Sequence, residues 1–120
     1  MKMPGPDHPI TIVRNAKRVL VTYRGTVIAD TTRALTLEEA GYAPVHYIPR
    51  ADVTMSLLMP TAHSSHCPYK GDANYFSICA GGSTSDNAVW SYEQPYPAMN
   101  EIKEYLAFYR NRVDKIEESP

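Results

Sequence analysis

The sequence lacks the features that mark membrane proteins and nucleic-acid-binding proteins. Its 12 Lys and Arg residues stand against 13 Asp and Glu residues and leave a net charge of -1. The charges form no block, so no basic stripe for nucleic acid is indicated. No apolar run approaches the about 18 residues of a membrane span, and the start, MKMPGPDHP, has no apolar core of a secretory signal. We expect a soluble cytoplasmic protein that binds neither nucleic acid nor membranes.

Cysteine is also scarce. The chain has two, Cys67 and Cys79, and no Cys-x-x-Cys pair. A reducing compartment favours free thiols over a disulfide between them. At 120 residues the chain is long enough to bury roughly two-thirds of its unfolded surface in one core, so we expect a single domain over residues 1–120 that needs no covalent staple.

Proline and β-forming residues dominate what is present. Ten prolines and six glycines divide the chain into short pieces rich in Val, Ile, Thr and Tyr, which is typical of a mainly β domain. A three-stranded antiparallel meander is predicted first, then a short strand, VHYI, and a hairpin of ANYFSIC and NAVWSYE around the loop AGGSTSDN. The meander strands are Ile10 to Arg14, Arg18 to Arg24 and Thr26 to Ala34.

Other segments are less regular. LTLEEAGYAP is compatible with a helix or a strand, and we favour the strand. ADVTMSLL is equally compatible with a helix or a strand. VDKI is predicted to form a last strand. One amphipathic helix is predicted near the C-terminus, from Ala98 to about Asn111. Pro97 suits the first turn of this helix. The apolar residues recur at helical spacing and are Ile102, Tyr105, Leu106 and Tyr109.

The stretch HSSHC raises the question of a metal site, because histidine and cysteine are zinc ligands. Pro68 disfavours a helix before it, so the stretch is expected to be extended. In a strand His63 and Cys67 lie on one face about 13 Å apart, while His66 lies on the other. Convergence of the three would need a curled loop, and we expect no metal.

A turn follows in Cys67-Pro68-Tyr69-Lys70-Gly71. Proline suits the second position of a β-turn, which brings Cys67 and Lys70 close together, and Gly71 can adopt a positive φ. A nearby ammonium favours a reactive thiolate. Two interpretations stay open: a thiol and an ammonium that act together, or a hairpin turn with a small buried residue and a solvated lysine.

A second polar group lies in HYIPRAD. Arg50 can bind a carboxylate or phosphate, and Asp52 can act as a base. A salt bridge between them, or a cap formed by Asp52, is the structural alternative. Trp90 and Tyr92 share one strand face and are expected in the core.

Four segments, YIPRADV, HCPYKGDANYFSI, NAVWSYEQPYPA and AFYRNRVD, together resemble the bacterial domain of unknown function 427 family from about His8 to Ile116. The resemblance implies a mainly β fold of folded antiparallel sheets that enclose a pocket, similar to methionine-R-sulfoxide reductases and to a zinc-bearing nucleotide-exchange chaperone. Relatives on that fold often carry two Cys-x-x-Cys zinc knuckles, which this sequence lacks, so neither zinc nor another cofactor is expected. The matching positions are Tyr47, Pro49, Arg50, Asp52, Cys67, Pro68, Lys70, Gly71, Tyr75, Trp90, Tyr92 and Pro95.

The family sometimes carries a nucleotidyltransferase-like label. That chemistry needs two carboxylates to hold magnesium against phosphates. The loop GGSTSDN offers Asp86 but no second acid two positions later, so nucleotidyl transfer is not expected.

The leading hypothesis is a small-molecule pocket, with a thiol-dependent enzyme as its catalytic version. Its catalytic residues would be Cys67, Lys70 and Asp52. Arg50, His63, Tyr75 and Tyr47 would bind the ligand. The alternative is a non-catalytic module for a ligand or a protein partner. Nine tyrosines leave room for a homodimer face.

Overall fold

The computed structural model describes all residues from Met1 to Pro120. Ten strands and four short 3₁₀ turns make up the regular structure, and there is no α-helix. The strands are β1 (Ile10–Asn15), β2 (Arg18–Tyr23), β3 (Thr26–Thr31), β4 (Ala34–Glu39), β5 (Val45–Tyr47), β6 (Leu58–Cys67), β7 (Gly71–Ala80), β8 (Ser83–Ser91), β9 (Leu106–Phe108) and β10 (Lys115–Ser119). The turns cover Arg50–Asp52, Met55–Leu57, Pro97–Ile102 and Arg110–Arg112. None of the helical segments is long and apolar enough to span a bilayer.

The strands form three antiparallel sheets, in the orders β1-β4-β5, β10-β2-β3 and β6-β7-β8-β9. The first and third sheets meet where Ile48 and Leu106 exchange two backbone hydrogen bonds, each 2.8 Å long. The prediction of a mainly β domain built from antiparallel sheets is therefore confirmed.

Two apolar clusters form the core. The larger one packs β2 and β3 against β7, β8 and β9, and Val21, Ile28 and Ile78 at its centre are fully buried. The smaller one joins β4 and β5 to β7 and β8 and is rich in aromatic residues, among them Tyr47 and Tyr92. Burying one large apolar side chain contributes about 1.5–3 kcal/mol. Several residues of the smaller cluster, among them Tyr47 and Tyr92, also line a cavity.

Several predicted elements are confirmed. LTLEE is a strand within β4, and HSSHC is extended at the end of β6. The segments ANYFSIC and NAVWSYE lie in the antiparallel β7-β8 hairpin, and a last strand includes Lys115 and Ile116. The ambiguous segment ADVTMSLL is neither a helix nor a long strand, since it contributes to two 3₁₀ turns.

The predicted meander is wrong in its pairing. β2 does pair with β3, but β1 pairs with β4, from Ile10 opposite Glu39 to Asn15 opposite Ala34. The predicted hairpin loop is also too long, because β7 ends at Ala80 and β8 begins at Ser83. Gly81 and Gly82, both with positive φ, make the turn.

The predicted C-terminal helix is wrong as well. Glu104 has a φ of 66°, which ends any right-handed helix there. Leu106, Ala107 and Phe108 are consecutive and all buried. Leu106 and Phe108 pack in the larger apolar cluster and Ala107 packs in the smaller one, so both faces of β9 are covered. This packing, together with the pairing of β9 with β8 and of Leu106 with Ile48, overrides a helical spacing that is only local.

Candidate functional site

A cavity of about 450 Å³ lies between the β4-β5 region and the β6-β7-β8 sheet. Its volume is within the usual range for small-molecule sites. Most of its wall is apolar or aromatic, and one end is polar. The aromatic part consists of Trp90 and six tyrosines, which are Tyr42, Tyr47, Tyr69, Tyr75, Tyr92 and Tyr109.

The polar end begins at the turn between β6 and β7. Cys67 pairs with Gly71 across the turn, and Gly71 has a φ of 113°, the positive value predicted for it. This geometry directs the Lys70 side chain back beside Cys67, so that Lys70 Nζ donates to Cys67 Sγ at 3.7 Å. Lys70 is only 7% exposed. The predicted proximity of thiol and ammonium is confirmed, whereas the alternative of a solvated lysine is wrong.

Glu39 compensates the charge of Lys70. Its Oε1 accepts a hydrogen bond from Lys70 Nζ, and its Oε2 is 2.7 Å from His8 Nε2. Burial alone would raise the pKa of Glu39, but the hydrogen bonds from Lys70 and His8 outweigh burial and lower it. The His8 ring stacks on Tyr69, with centroids 4.1 Å apart. The N-terminal segment, the end of β4 and the β6-β7 turn therefore build this end together.

Hydrogen bonds fix the aromatic wall. The indole Nε1 of Trp90 donates to the Tyr47 hydroxyl at 3.2 Å. The Tyr75 hydroxyl lies 2.8 Å from Ser65 Oγ and 3.1 Å from the Tyr109 hydroxyl. Rings held in this way are preorganised, so a ligand would not have to order them on binding.

Burial raises the pKa of three phenols in the cavity wall. It raises the pKa of both Tyr47 and Tyr92 far above the ordinary value of 10.0. Burial, followed by the hydrogen bond with Tyr75, also raises the pKa of Tyr109 to about 12. These three tyrosines therefore offer neutral hydroxyl groups and ring faces to whatever occupies the cavity.

The histidines near Cys67 do not converge with it. His66 Nδ1 is 2.7 Å from the Asp72 carboxylate, and the His63 ring packs edge-on against Tyr75 with centroids 4.4 Å apart. No group of three or more metal-ligating side chains forms anywhere in the structure. His63 therefore packs against Tyr75 of the aromatic wall but does not itself line the cavity.

Of the remaining predicted residues, Tyr47 and Tyr75 line the cavity, while Arg50 and Asp52 do not. The Asp52 carboxylate accepts from Thr31 Oγ1 at 2.7 Å and from Arg33 Nη2 at 3.0 Å. These hydrogen bonds, first the one from Arg33, lower the pKa of Asp52. The expected convergence of Arg50 and Asp52 with Cys67 and Lys70 is not found.

Arg50 binds elsewhere in the fold. Its Nε donates to the Glu104 carbonyl at 2.7 Å, and its Nη2 donates to Ser91 Oγ at 3.2 Å and to Glu93 Oε2 at 2.8 Å. The guanidinium also lies over the Phe76 ring. These contacts tie β8 to the segment before β9.

Sequence reasoning missed Glu39, His8 and Tyr109. For Glu39 a signal existed, because strand alternation puts it on the same face as the buried Leu35 and Leu37. A carboxylate on an apolar strand face needs a partner. His8 carries no such signal, since its role depends on how the N-terminal segment packs.

Comparison with known families places the chain in a family. The family model described as domain of unknown function 427 matches residues 11–119, nearly the whole chain. No curated protein matches the sequence.

Proposed function

This chain belongs to the domain of unknown function 427 family, and we propose that it binds a small, mostly apolar molecule in the cavity beside Lys70. One observation carries the proposal. The Lys70 ammonium has three N–H donors, of which Glu39 and Cys67 take two, and it is buried in a cavity wall that is otherwise mainly aromatic. A ligand that accepts the remaining hydrogen bond would compensate the desolvation of this group.

Nuclear magnetic resonance titration with small aromatic and aliphatic hydrogen-bond acceptors tests the proposal. We expect shifts at the cavity residues in the wild type and their loss in the double variant Lys70→Met/Glu39→Gln, which removes both charges together. Lys115→Met is the matched control, because Lys115 is exposed on β10 and far in sequence from the turn. Binding that survives the double variant would contradict the proposal.

A second candidate function is a thiol-dependent reaction in the same cavity. It rests on the 3.7 Å contact between Lys70 Nζ and Cys67 Sγ, since an adjacent ammonium favours the nucleophilic thiolate. Cys67 would be the nucleophile or redox thiol, and the Lys70 ammonium would stabilise the Cys67 thiolate. In this candidate Glu39 and His8 would handle protons, the role that was predicted from the sequence for Asp52.

The second cysteine gives an internal reference for this candidate. Cys67 and Cys79 are both free and both partly exposed, so alkylation by iodoacetamide can be followed at each by peptide mass spectrometry. We expect Cys67 to react several-fold faster and to lose that advantage in the double variant. Equal rates would argue against a thiol enzyme, and unimpaired ligand binding in Cys67→Ala would favour the non-catalytic module.

The family resemblance supports further parts of the proposal. We infer that the domain works in the cytoplasm of a bacterium and that its antiparallel sheets share their fold with the methionine-R-sulfoxide reductases. A homodimer is a separate proposal, and sedimentation of the purified protein tests it.

A further inference from the structure

A second, smaller cavity adjoins the first. It has a volume of about 180 Å³. Ala43, Val45, Trp90 and Tyr109 line both cavities, so the two share one wall. Tyr109 is 37% exposed and its ring lies 4.4 Å from that of Trp90. Trp90 and Tyr109 therefore belong to the boundary between the cavities, and Tyr109 is accessible from the surface.

The second cavity is more apolar than the first. Most of the residues that line it are hydrophobic, among them Val21, Ile48, Phe108 and Ile116. The one histidine in its wall is His46, whose Nδ1 is 2.9 Å from Thr36 Oγ1. Burial lowers the pKa of His46 below 6.5, against the opposing effect of Glu118, so its ring is uncharged at neutral pH. Arg110 is the one charged residue in its wall and is exposed at the surface, so the apolar inner part of this cavity is the part that suits an apolar chain.

The polar end of the first cavity favours an uncharged acceptor. Lys70 and Glu39 carry opposite charges in direct contact, so they cancel. A ligand carboxylate at Lys70 would lie beside the Glu39 carboxylate and be repelled by it. An amide, ester or ketone oxygen can accept from Lys70 without that repulsion.

We infer that the ligand is an elongated, uncharged carbonyl compound, with its carbonyl oxygen at Lys70 and an apolar chain extending past Trp90 and Tyr109 into the second cavity. This inference rests on the proposed function of the first cavity. It adds the chemical class of the ligand and the direction in which the ligand lies.

Three probes test the inference: butyramide, octanamide and octanoate, with dissociation constants from nuclear magnetic resonance titration of the full chain. We expect octanamide to bind more tightly than butyramide, by up to about fourfold for each additional buried methylene. Octanoate has nearly the same chain but a charged head, and we expect it to bind more weakly than octanamide. Contacts between the octanamide methyl group and Ile116 should appear in nuclear Overhauser spectra of the wild type.

A variant that fills the second cavity measures how much the apolar chain of the ligand contributes to binding. Ile116→Trp should bring the affinity for octanamide down to that for butyramide and leave butyramide binding unchanged. Val27→Trp is the matched control, because Val27 is 45% exposed and lines neither cavity. The Overhauser contacts in the wild type decide the question if Ile116→Trp does not fold.

The outcomes separate the two proposals. Equal affinities for the three probes, with binding lost in Lys70→Met/Glu39→Gln, would overturn this inference and leave the proposed function standing. The same holds if octanoate binds more tightly than octanamide. If none of the probes perturbs the cavity residues, both proposals are wrong.

Discussion

Lys70 and Glu39, which are 31 residues apart in the sequence, form an ion pair in the wall of the main cavity. The Lys70 side chain is 9% exposed and that of Glu39 is 14% exposed. Charges this sheltered from water need a partner, because an unpaired buried charge costs far more than a pair. The pair therefore connects the stability of the fold with the chemistry of the cavity.

The first prediction concerns this pair. We expect Lys70→Met to lower the free energy of unfolding by about 2–3 kcal/mol, because Glu39 keeps only His8 as a partner. The double variant Lys70→Met/Glu39→Leu should recover to within about 1 kcal/mol of the wild type, since no unpaired charge is left. Urea denaturation measures both. Equal losses in the single and the double variant would show that the pair itself is not the cause.

The second prediction concerns acid. The pKa of Glu39 in the folded state is below its ordinary value of 4.5, so the folded state gains stability above that pH and loses it as the pH falls through the folded pKa. Glu39→Gln should therefore show a smaller loss of stability between about pH 5 and pH 3 than the wild type. Glu38→Gln is the control, because Glu38 is the exposed neighbour. Identical acid profiles for wild type and Glu39→Gln would contradict the assignment.

The third prediction concerns alkali. The pKa of Tyr109 is raised from 10.0 to about 12, first by burial and then by its hydrogen bond with Tyr75. The stabilisation that results is complete below pH 10.0 and is lost as the pH rises through the folded pKa. Tyr109→Phe should lose less stability over that range. It should also be about 1 kcal/mol less stable at neutral pH, since the hydrogen bond to Tyr75 is gone.

Phenolate absorbance gives an independent measurement of the same group. Removing Tyr109 should delete one late-titrating phenol from the absorbance curve. If Tyr109→Phe instead deletes absorbance that develops near the ordinary pKa of 10.0, Tyr109 is not protected.

The fourth prediction concerns Arg50. Arg50→Lys should lower the free energy of unfolding by about 1–3 kcal/mol, because one ammonium cannot replace the fork of hydrogen bonds to Ser91, Glu93 and the Glu104 carbonyl. Ligand affinity should not change, since Arg50 lines neither cavity. Arg33→Lys is the comparison and should cost less than Arg50→Lys, because the Arg33 side chain is 57% exposed and exposed ion pairs contribute little. A loss of ligand binding at unchanged stability would return Arg50 to the ligand-binding role.

Local rules were sufficient for the short-range features. Pro68 and Gly71 restrict the backbone dihedrals of their own neighbourhood, so the turn that brings Lys70 to Cys67 follows from five residues of sequence. The same holds for most of β7 and β8, whose branched and aromatic residues favour extended backbone.

Features that depend on distant partners could not be derived from the sequence. The spacing of Ile102 and Leu106 is compatible with a helix. Residues 106–108 form a strand only because they pair with β8 and with Ile48. Ile10 to Asn15 is a strand by its composition, but its partner β4 is selected by how the whole chain packs. Asp52 and Arg50 are residue types that are common in functional sites. In this fold Asp52 forms an ion pair with Arg33, and Arg50 forms one with Glu93.

The sequence by itself determined the family, the mainly β class and the turn that brings Cys67 and Lys70 close together, because each depends on neighbours along the chain or on the order of motifs. Only the tertiary structure decided that Lys70 is buried against the thiol and what surrounds that contact. It brings Glu39 from β4, His8 from the N-terminal segment and Tyr109 from beyond β9 to the same cavity, since burial, charge pairing and sheet packing act between residues that are close in space.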